Sequence, residues 1–236
     1  MFFLDPTYLI FMLPALLLMG LASWYVKSAY DKWGRVRANS GLTGHQAAQR
    51  LISTGNLYGL QIQGVAGNLT DHYDPRNNTL YLSQGVANSP SVASLAVAAH
   101  ELGHAMQDAE EYFPLRFRSA LVPMVNIGSN LGWILIMVGL LLRSTNLGVS
   151  IAWLGVLFFA GGALFALATL PVEFNASARA KQLLAQTGIV QTEEEMRGVN
   201  TVLNAAALTY VAGLVTAVLQ LLYYIMLVGG IGRRRN

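Results

Sequence analysis

Residues 147–170 read LGVSIAWLGVLFFAGGALFALATL, without a single charged side chain. At about 1.5 Å of rise per helical residue, such a stretch can cross the roughly 30 Å hydrocarbon core of a bilayer. Residues 8–26, 120–142 and 205–231 are apolar over similar lengths. Buried helices of a soluble protein are the alternative, but four of them in so short a chain would be unusual. The sequence therefore predicts four transmembrane helices.

The composition points the same way. Hydrophobic residues make up 54% of the 236 residues and charged residues only 11%, whereas a soluble domain is about 25% charged. The formal net charge is +3, and the basic residues lie at the ends of apolar stretches rather than in one patch, which argues against nucleic acid as a partner. The chain has no cysteine, which excludes a disulfide framework and a cysteine-ligated zinc finger.

Two polar segments separate the apolar stretches. We expect the first stretch to be a retained membrane helix and not a cleaved signal peptide, because no basic region precedes it and Trp24 and Tyr25 close it. The predicted sections are a first transmembrane helix at 1–27, a polar segment at 28–119, a helical hairpin at 120–170, a second polar segment at 171–204, and a fourth transmembrane helix with a basic tail at 205–236.

Four crossings place both polar segments on one side of the membrane, and both termini on the other side. Basic residues near the spans are more numerous on the side of the polar segments, which favours a cytoplasmic location for these segments. The cluster Arg233–Arg235 at the other side argues for the opposite orientation. The expected location is thus a multi-pass cell-membrane protein with its polar segments facing the cytoplasm.

The first polar segment is predicted to be a small α+β domain. Residues 43–53 are typical of a helix. The Asp74–Asn78 turn signal, followed by alternation over residues 79–82, indicates a β-hairpin or meander. Ser89 and Pro90 are typical of an N-cap and a first helical residue. They predict a helix that continues to about residue 107.

This predicted helix carries His100-Glu101-Leu102-Gly103-His104, which fits the pattern H-E-x-x-H. Residues four apart share one face of a helix, so both imidazoles can reach one zinc ion. Glu101 points elsewhere and can act as a base toward a water molecule. The alternative is a solvated helix face that carries these residues by chance, but two imidazoles and a carboxylate are unusual on such an apolar helix.

A third ligand must come from elsewhere, and His45, His72 and Glu173 are the candidates. Glu173 is favoured because it follows the span at 147–170 by a few residues and lies on the same predicted side of the membrane as His100 and His104. A carboxylate so close to an apolar span costs free energy unless it has a partner, and a metal ion would be one. The alternative role of Glu173 is a carboxylate at the positive end of a helix dipole. The run Glu193–Glu195 is expected to be a solvated first turn.

His72 lies in the stretch Leu69–Asp74, just before the turn signal. From there its imidazole can approach the zinc cleft and help to polarise a substrate carbonyl, as can the neighbouring Tyr73. A polar cluster that anchors the turn is the alternative interpretation.

The chain resembles the YugP-like family of neutral zinc metallopeptidases of bacterial membranes in the blocks Leu69–Arg76, Ala99–Ala105 and Leu170–Ser177. More distantly it is similar to membrane gluzincins such as the CAAX-prenyl proteases. In those, the third ligand opens a Glu-x-x-x-Asp pattern. Glu173 takes the glutamate position and Ser177 replaces the aspartate, so Asn175 is an alternative source of support for this ligand.

The predicted fold is a mainly α integral membrane protein, with four transmembrane helices and a small zincin-like α+β domain. We expect a zinc-dependent endopeptidase with one Zn²⁺ per chain, bound by His100, His104 and Glu173, with Glu101 and His72 as catalytic residues. Expected partners are the lipid bilayer and peptide or membrane-protein substrates; a membrane-protein partner or a homo-oligomer is compatible with the apolar surface. A non-catalytic zinc-containing membrane scaffold or chaperone partner is the alternative. A transporter is disfavoured because the spans carry almost no ionisable residues.

Overall fold

The structure is a computed structural model and describes residues 6–233. Arg234 and Arg235 of the basic tail lie outside this range. In chain order the elements are α1 (Pro6–Trp33), α2 (Gly44–Thr54), β1 (Gln61–Val65), β2 (His72–Asp74), β3 (Thr79–Ser83), α3 (Gln84–Ala87), α4 (Val92–Ala109), α5 (Phe113–Leu141), α6 (Asn146–Gln186) and α7 (Glu193–Arg233).

Four helices are long and apolar enough to cross a membrane: Pro6–Trp33, Phe113–Leu141, Asn146–Gln186 and Glu193–Gly230. The predicted mainly α membrane protein with four spans is therefore confirmed. The third and fourth helices continue well beyond the predicted apolar stretches, into the second polar segment. Pro171 lies inside α6, although an interior proline removes one backbone hydrogen bond and commonly kinks or breaks a helix.

The chain forms two compact units. The membrane unit comprises residues up to Leu21, Phe117–Leu170 and residues from Tyr210 onward, and the polar unit comprises Ala22–Arg116 and Pro171–Thr209. In the membrane unit, α5 packs against α6 through glycines. A Cβ on Gly132 would lie 3.0 Å from the carbonyl oxygen of Gly155, so the missing side chains allow the two backbones to approach closely.

The polar unit contains a three-stranded sheet in the order β1-β3-β2. Strands β2 and β3 are antiparallel, with His72 opposite Tyr81, so the predicted hairpin is confirmed. The meander is wrong, because β1 runs parallel to β3 and lies on its other side. The central strand β3 buries Leu80 and Leu82 completely, and β2 is left as an edge strand.

Helix α4 begins two residues later than predicted. Its N-cap is Ser91, whose hydroxyl accepts a hydrogen bond from the backbone N–H of Ser94 at 3.2 Å. The predicted cap, Ser89-Pro90, instead makes contacts distant in sequence: the carbonyl of Pro90 accepts from the N–H of Ala38 at 2.9 Å. Ser91 is the N-cap because, from its position, its hydroxyl can accept a hydrogen bond from a backbone N–H in the first turn of the helix, which would otherwise have no partner within the helix.

The interior of the polar unit is built around α4. Leu95, Ala98, Ala99 and Leu102 are completely buried, together with residues of α2, β3, α6 and α7. Burial on most sides of the helix fixes its rotation, and therefore fixes which residues it presents to each neighbour.

The expectation for the Glu193–Glu195 run is wrong at one position. Glu195 is buried, with only 3% of its surface exposed. Its carboxylate accepts backbone N–H bonds from Asn39 at 2.6 Å, Gln191 at 2.7 Å and Thr192 at 3.1 Å. Backbone donors at the start of α7 would otherwise lack partners, and the carboxylate supplies the acceptors.

Candidate metal centre

Helix α4 presents His100 and His104 on one face, one turn apart. Their rings meet edge to face, with centroids 4.8 Å apart. The exposed fractions of the two side chains are 12% and 14%. Two imidazoles held this close, with little access to solvent, are poorly explained by packing alone.

Glu173 reaches both imidazoles from α6. Its Oε2 lies 3.3 Å from Nε2 of His100 and 3.5 Å from Nε2 of His104, and its side chain is only 3% exposed. One ligand atom from each of these three residues lies within 4.8 Å of the others. The structure thus joins one carboxylate to two histidines from a distant part of the chain.

A close approach of the two helices makes this possible. A Cβ on Gly103 would overlap the carbonyl oxygen of Ala176 on α6. On α6, Val172, Ala176 and Ala180 are completely buried. Because Glu173 precedes Ala176 by one turn, the contact at Gly103 determines how near its carboxylate comes to the histidines. Sequence reasoning passed over Gly103 as one of the two variable positions of H-E-x-x-H, although glycine inside a helix is the signal for such a contact.

Each histidine has a polar neighbour on its other ring nitrogen. Nδ1 of His100 lies 3.2 Å from the hydroxyl of Ser177, and Nδ1 of His104 lies 3.0 Å from Oε1 of Gln107. Both imidazoles therefore present Nε2 to the centre. Sequence reasoning missed Gln107, although its position three residues after His104 puts it on the same face.

The positions of Ser177 and Asn175 differ from the support expected for Glu173. Ser177 contacts His100, and Oδ1 of Asn175 accepts hydrogen bonds from Gln107 and Arg179. The short side chain of Ser177 can reach the imidazole of His100 because α4 and α6 are so close at Gly103.

The donor set fits zinc. Zinc binds nitrogen and oxygen ligands at about 2.0–2.1 Å in a tetrahedral arrangement, which places neighbouring ligand atoms roughly 3.3 Å apart. The observed separations from Glu173 to the two histidines are 3.3 and 3.5 Å. Two histidines and one glutamate also leave the fourth position open, as catalytic zinc sites require.

Glu101 lies on α4 beside this cluster. Burial raises the pKa of the Glu101 carboxyl above its usual value, the two neighbouring imidazoles lower it, and the charges of Glu173 and Asp71 raise it again, with a net upward shift. A carboxyl with a raised pKa accepts and returns a proton more readily near neutral pH than an exposed one does.

His72 is not part of the cluster. It is exposed on β2, stacks on Tyr81 with ring centroids 4.8 Å apart, and its Nδ1 lies 2.8 Å from the carbonyl oxygen of Thr70. Because that oxygen only accepts, Nδ1 carries the hydrogen, and Nε2 can donate to a substrate only when the ring is protonated. Its neighbour Tyr73 donates to Asp108 at 2.9 Å, so the Tyr73 proton is already engaged.

Comparison with known proteins identifies the family of the chain. The sequence pattern of the family described as "Putative neutral zinc metallopeptidase" matches residues 8–229. The chain is 42% identical over 212 residues to the "Putative membrane protease YugP" of Bacillus subtilis (strain 168), which covers 89% of this chain and 92% of that protein. No solved structure matches the chain significantly. The resemblance noted from the sequence is thereby confirmed, and the chain belongs to this family of membrane-associated neutral zinc metallopeptidases.

Proposed function

We propose that this protein is a membrane-embedded, gluzincin-like endopeptidase that hydrolyses peptide bonds of membrane or membrane-proximal proteins. One zinc ion per chain is held by His100, His104 and Glu173. The observation that carries the proposal is the convergence of two Nε2 atoms and one carboxylate oxygen, from α4 and α6, at separations that suit a tetrahedral ion.

The chemistry divides between the ion and the chain. Zinc bound there would supply a Lewis acid and lower the pKa of a water molecule. Glu101 removes a proton from the attacking water and later delivers it to the leaving amine. The Gln107 oxygen at Nδ1 of His104 leaves the Nε2 lone pair of that ring for the ion. The Ser177 hydroxyl can accept from Nδ1 of His100, and in that tautomer the Nε2 lone pair of His100 is available to the ion as well.

The proposed substrate class follows from the neighbourhood of the site along the chain. Glu173 lies just beyond the uncharged stretch 147–170, and Arg116 and Arg118 flank the stretch 120–142. Basic residues at such positions are typical of a lipid–water boundary. We expect substrates that are embedded in the membrane or presented at its surface, with the site facing the cytoplasm.

The edge strand β2 is the proposed place for an extended peptide. It pairs only with β3 within the described sheet, so its other side has backbone groups that can pair with a substrate. His72 lies on this strand, and its imidazolium form would donate from Nε2 to a substrate carbonyl. We propose this auxiliary role for His72.

The decisive experiment compares the wild type with Glu101→Gln in reconstituted vesicles that contain a membrane-tethered substrate. The variant should keep its zinc and lose cleavage by at least about 100-fold, because a general base typically contributes that much or more. The control is Glu193→Gln, an exposed glutamate at the start of α7, which should cleave normally. Undiminished cleavage by Glu101→Gln would refute the proposal. If the wild-type protein binds zinc but cleaves no substrate, the alternative of a non-catalytic zinc-containing membrane scaffold or chaperone partner would be favoured.

A further inference from the structure

We infer that Arg179 acts through Asn175 and Gln107 to fix the ring orientation and the proton position of His104. This chain, called the positioning relay below, consists of Glu110, Arg179, Asn175, Gln107 and His104. The inference rests on the proposed metal site, because it assigns Nε2 of His104 as the atom left free for the ion. None of the relay residues other than His104 is a proposed ligand.

The relay has a direction that begins at Arg179. A guanidinium group only donates hydrogen bonds. Its Nε donates at 2.7 Å to the side chain of Asn175, so the Asn175 atom that faces it must be the amide oxygen. The same oxygen lies 2.9 Å from the side-chain nitrogen of Gln107. Gln107 therefore donates to Asn175 and cannot be turned the other way.

A second contact fixes Gln107 independently. Its side-chain nitrogen also lies 2.8 Å from the backbone carbonyl of Val172, which can only accept. With both amide hydrogens used, Gln107 must present its oxygen to His104, 3.0 Å from Nδ1. That oxygen requires a hydrogen on Nδ1, so neutral His104 carries its lone pair on Nε2, next to Glu173.

The far end of the relay is anchored. Arg179 donates from both terminal nitrogens to the two carboxylate oxygens of Glu110, each at 2.7 Å. Glu110 is the C-cap of α4. A two-pronged ion pair of this kind holds the guanidinium plane in one orientation. The relay thus connects the end of α4 to α6 and back to the middle of α4.

The tautomer of His100 is not fixed in the same way. Its Nδ1 faces the hydroxyl of Ser177, and a hydroxyl can rotate to donate or accept. A hydroxyl therefore accommodates either tautomer of the imidazole. The relay makes His104 the histidine whose tautomer is set in advance, and this is a specific role for Asn175, Gln107 and Arg179.

The test uses the full-length chain in detergent micelles and measures zinc affinity by competition with a chromogenic chelator. Asn175→Leu keeps the size of the side chain but removes the acceptor, and it should weaken zinc binding roughly 10- to 100-fold, as loss of an outer-shell partner usually does. Asn175→Asp keeps an acceptor toward both Arg179 and Gln107, and it should bind zinc at least as tightly as the wild type. The control is Asn204→Leu, an exposed asparagine that accepts only from Lys181, at 3.4 Å, among the described contacts.

Arg179→Met provides a second variant if Asn175→Leu does not fold, and it should weaken zinc binding by up to about 10-fold. A purely structural role would lower the melting temperature of the zinc-free protein and leave the zinc affinity unchanged. Wild-type affinity in both Asn175→Leu and Arg179→Met would overturn the relay.

His104→Ala separates the proposed metal site from the proposed relay: if this variant still binds zinc normally, the metal site itself fails and the relay with it. If it loses zinc while the relay variants bind normally, only the relay fails.

Discussion

The backbones of Gly103 and Ala176 are in direct contact, and a Cβ at position 103 would overlap the carbonyl oxygen of Ala176 and lie 3.0 Å from its Cα. This contact joins the helix that carries the two histidines to the helix that carries Glu173. The separation of α4 and α6 at this point therefore controls the geometry of the candidate metal centre.

Gly103→Ala should separate the helices and displace Glu173 from the histidines. We expect a loss of about 1–3 kcal/mol in the free energy of unfolding, typical of overpacking, together with weaker zinc binding. Denaturant unfolding and chelator competition measure the two effects. Gly162→Ala, on α6, is the control, because a Cβ there has nothing within 4 Å. It should lower neither the free energy of unfolding nor the zinc affinity. A Gly103→Ala protein with normal stability and zinc affinity would contradict the role of this contact.

Glu173→Gln keeps the shape of the side chain and removes its charge. Zinc affinity should fall by more than roughly 100-fold, since the loss of a direct ligand exceeds the usual effect of an outer-shell change. Equilibrium dialysis with metal analysis is the measurement. Glu194→Gln, at an exposed position in the first turn of α7, is the matched control. Retention of full zinc affinity by Glu173→Gln would remove Glu173 from the proposed ligand set.

Ser177→Ala removes the hydroxyl from Nδ1 of His100. We expect zinc affinity to fall by about 10-fold, at the lower end of the range for outer-shell partners, because a hydroxyl holds the ring less firmly than an amide does. Ser150→Ala on the same helix is the control, since its hydroxyl donates only to the backbone of Asn146 among the described contacts. Equal affinities for both variants would show that Ser177 does not support His100.

Removal of the metal should lower thermal stability. Zinc at 100 times its dissociation constant adds about 2.7 kcal/mol to the free energy of unfolding when it binds only the folded chain. This corresponds to an increase of roughly 5–10 °C in melting temperature for a domain of this size. Melting curves with zinc and with a strong chelator measure the difference. His104→Ala should melt at the same temperature in both conditions, and a zinc-dependent increase in that variant would place the bound ion elsewhere.

We expect the partly buried hydroxyl of Tyr73 to make the protein less stable at alkaline pH. Burial, the hydrogen bond to Asp108 and the charge of that carboxylate raise the pKa of the Tyr73 hydroxyl. The stabilisation is therefore complete below the unfolded pKa of about 10 and is lost as the pH rises from there toward the higher folded pKa. Tyr73→Phe should lose about 1 kcal/mol near neutral pH and show a shallower decline between pH 10 and 11.5. Tyr58→Phe, at a position 82% exposed, should follow the wild type; an identical alkaline decline in Tyr73→Phe would contradict the prediction.

Local patterns in the sequence were sufficient for much of the fold. The four apolar stretches, the helix of residues 44–54 and the β2–β3 hairpin depend on composition, capping and turn residues within a few positions of each other. Predictions failed where a residue forms a hydrogen bond with a segment that is distant in the sequence. Pro90 pairs with Ala38 instead of opening α4, and Glu195 is buried because the backbone of Asn39 needs an acceptor.

The sequence by itself determined the mainly α membrane class and the spacing of His100, Glu101 and His104, because a helix turn converts a fixed spacing into a shared face. It also singled out Glu173 by the cost of a carboxylate beside an apolar span. Only the tertiary structure decided that Gly103 brings α6 against α4, that Ser177 turns to His100, and that Gln107, Asn175 and Arg179 form a relay to His104. Hydrogen bonds of that kind require donors and acceptors within about 3 Å, and no spacing along one chain fixes the distance between two helices that meet more than sixty residues apart.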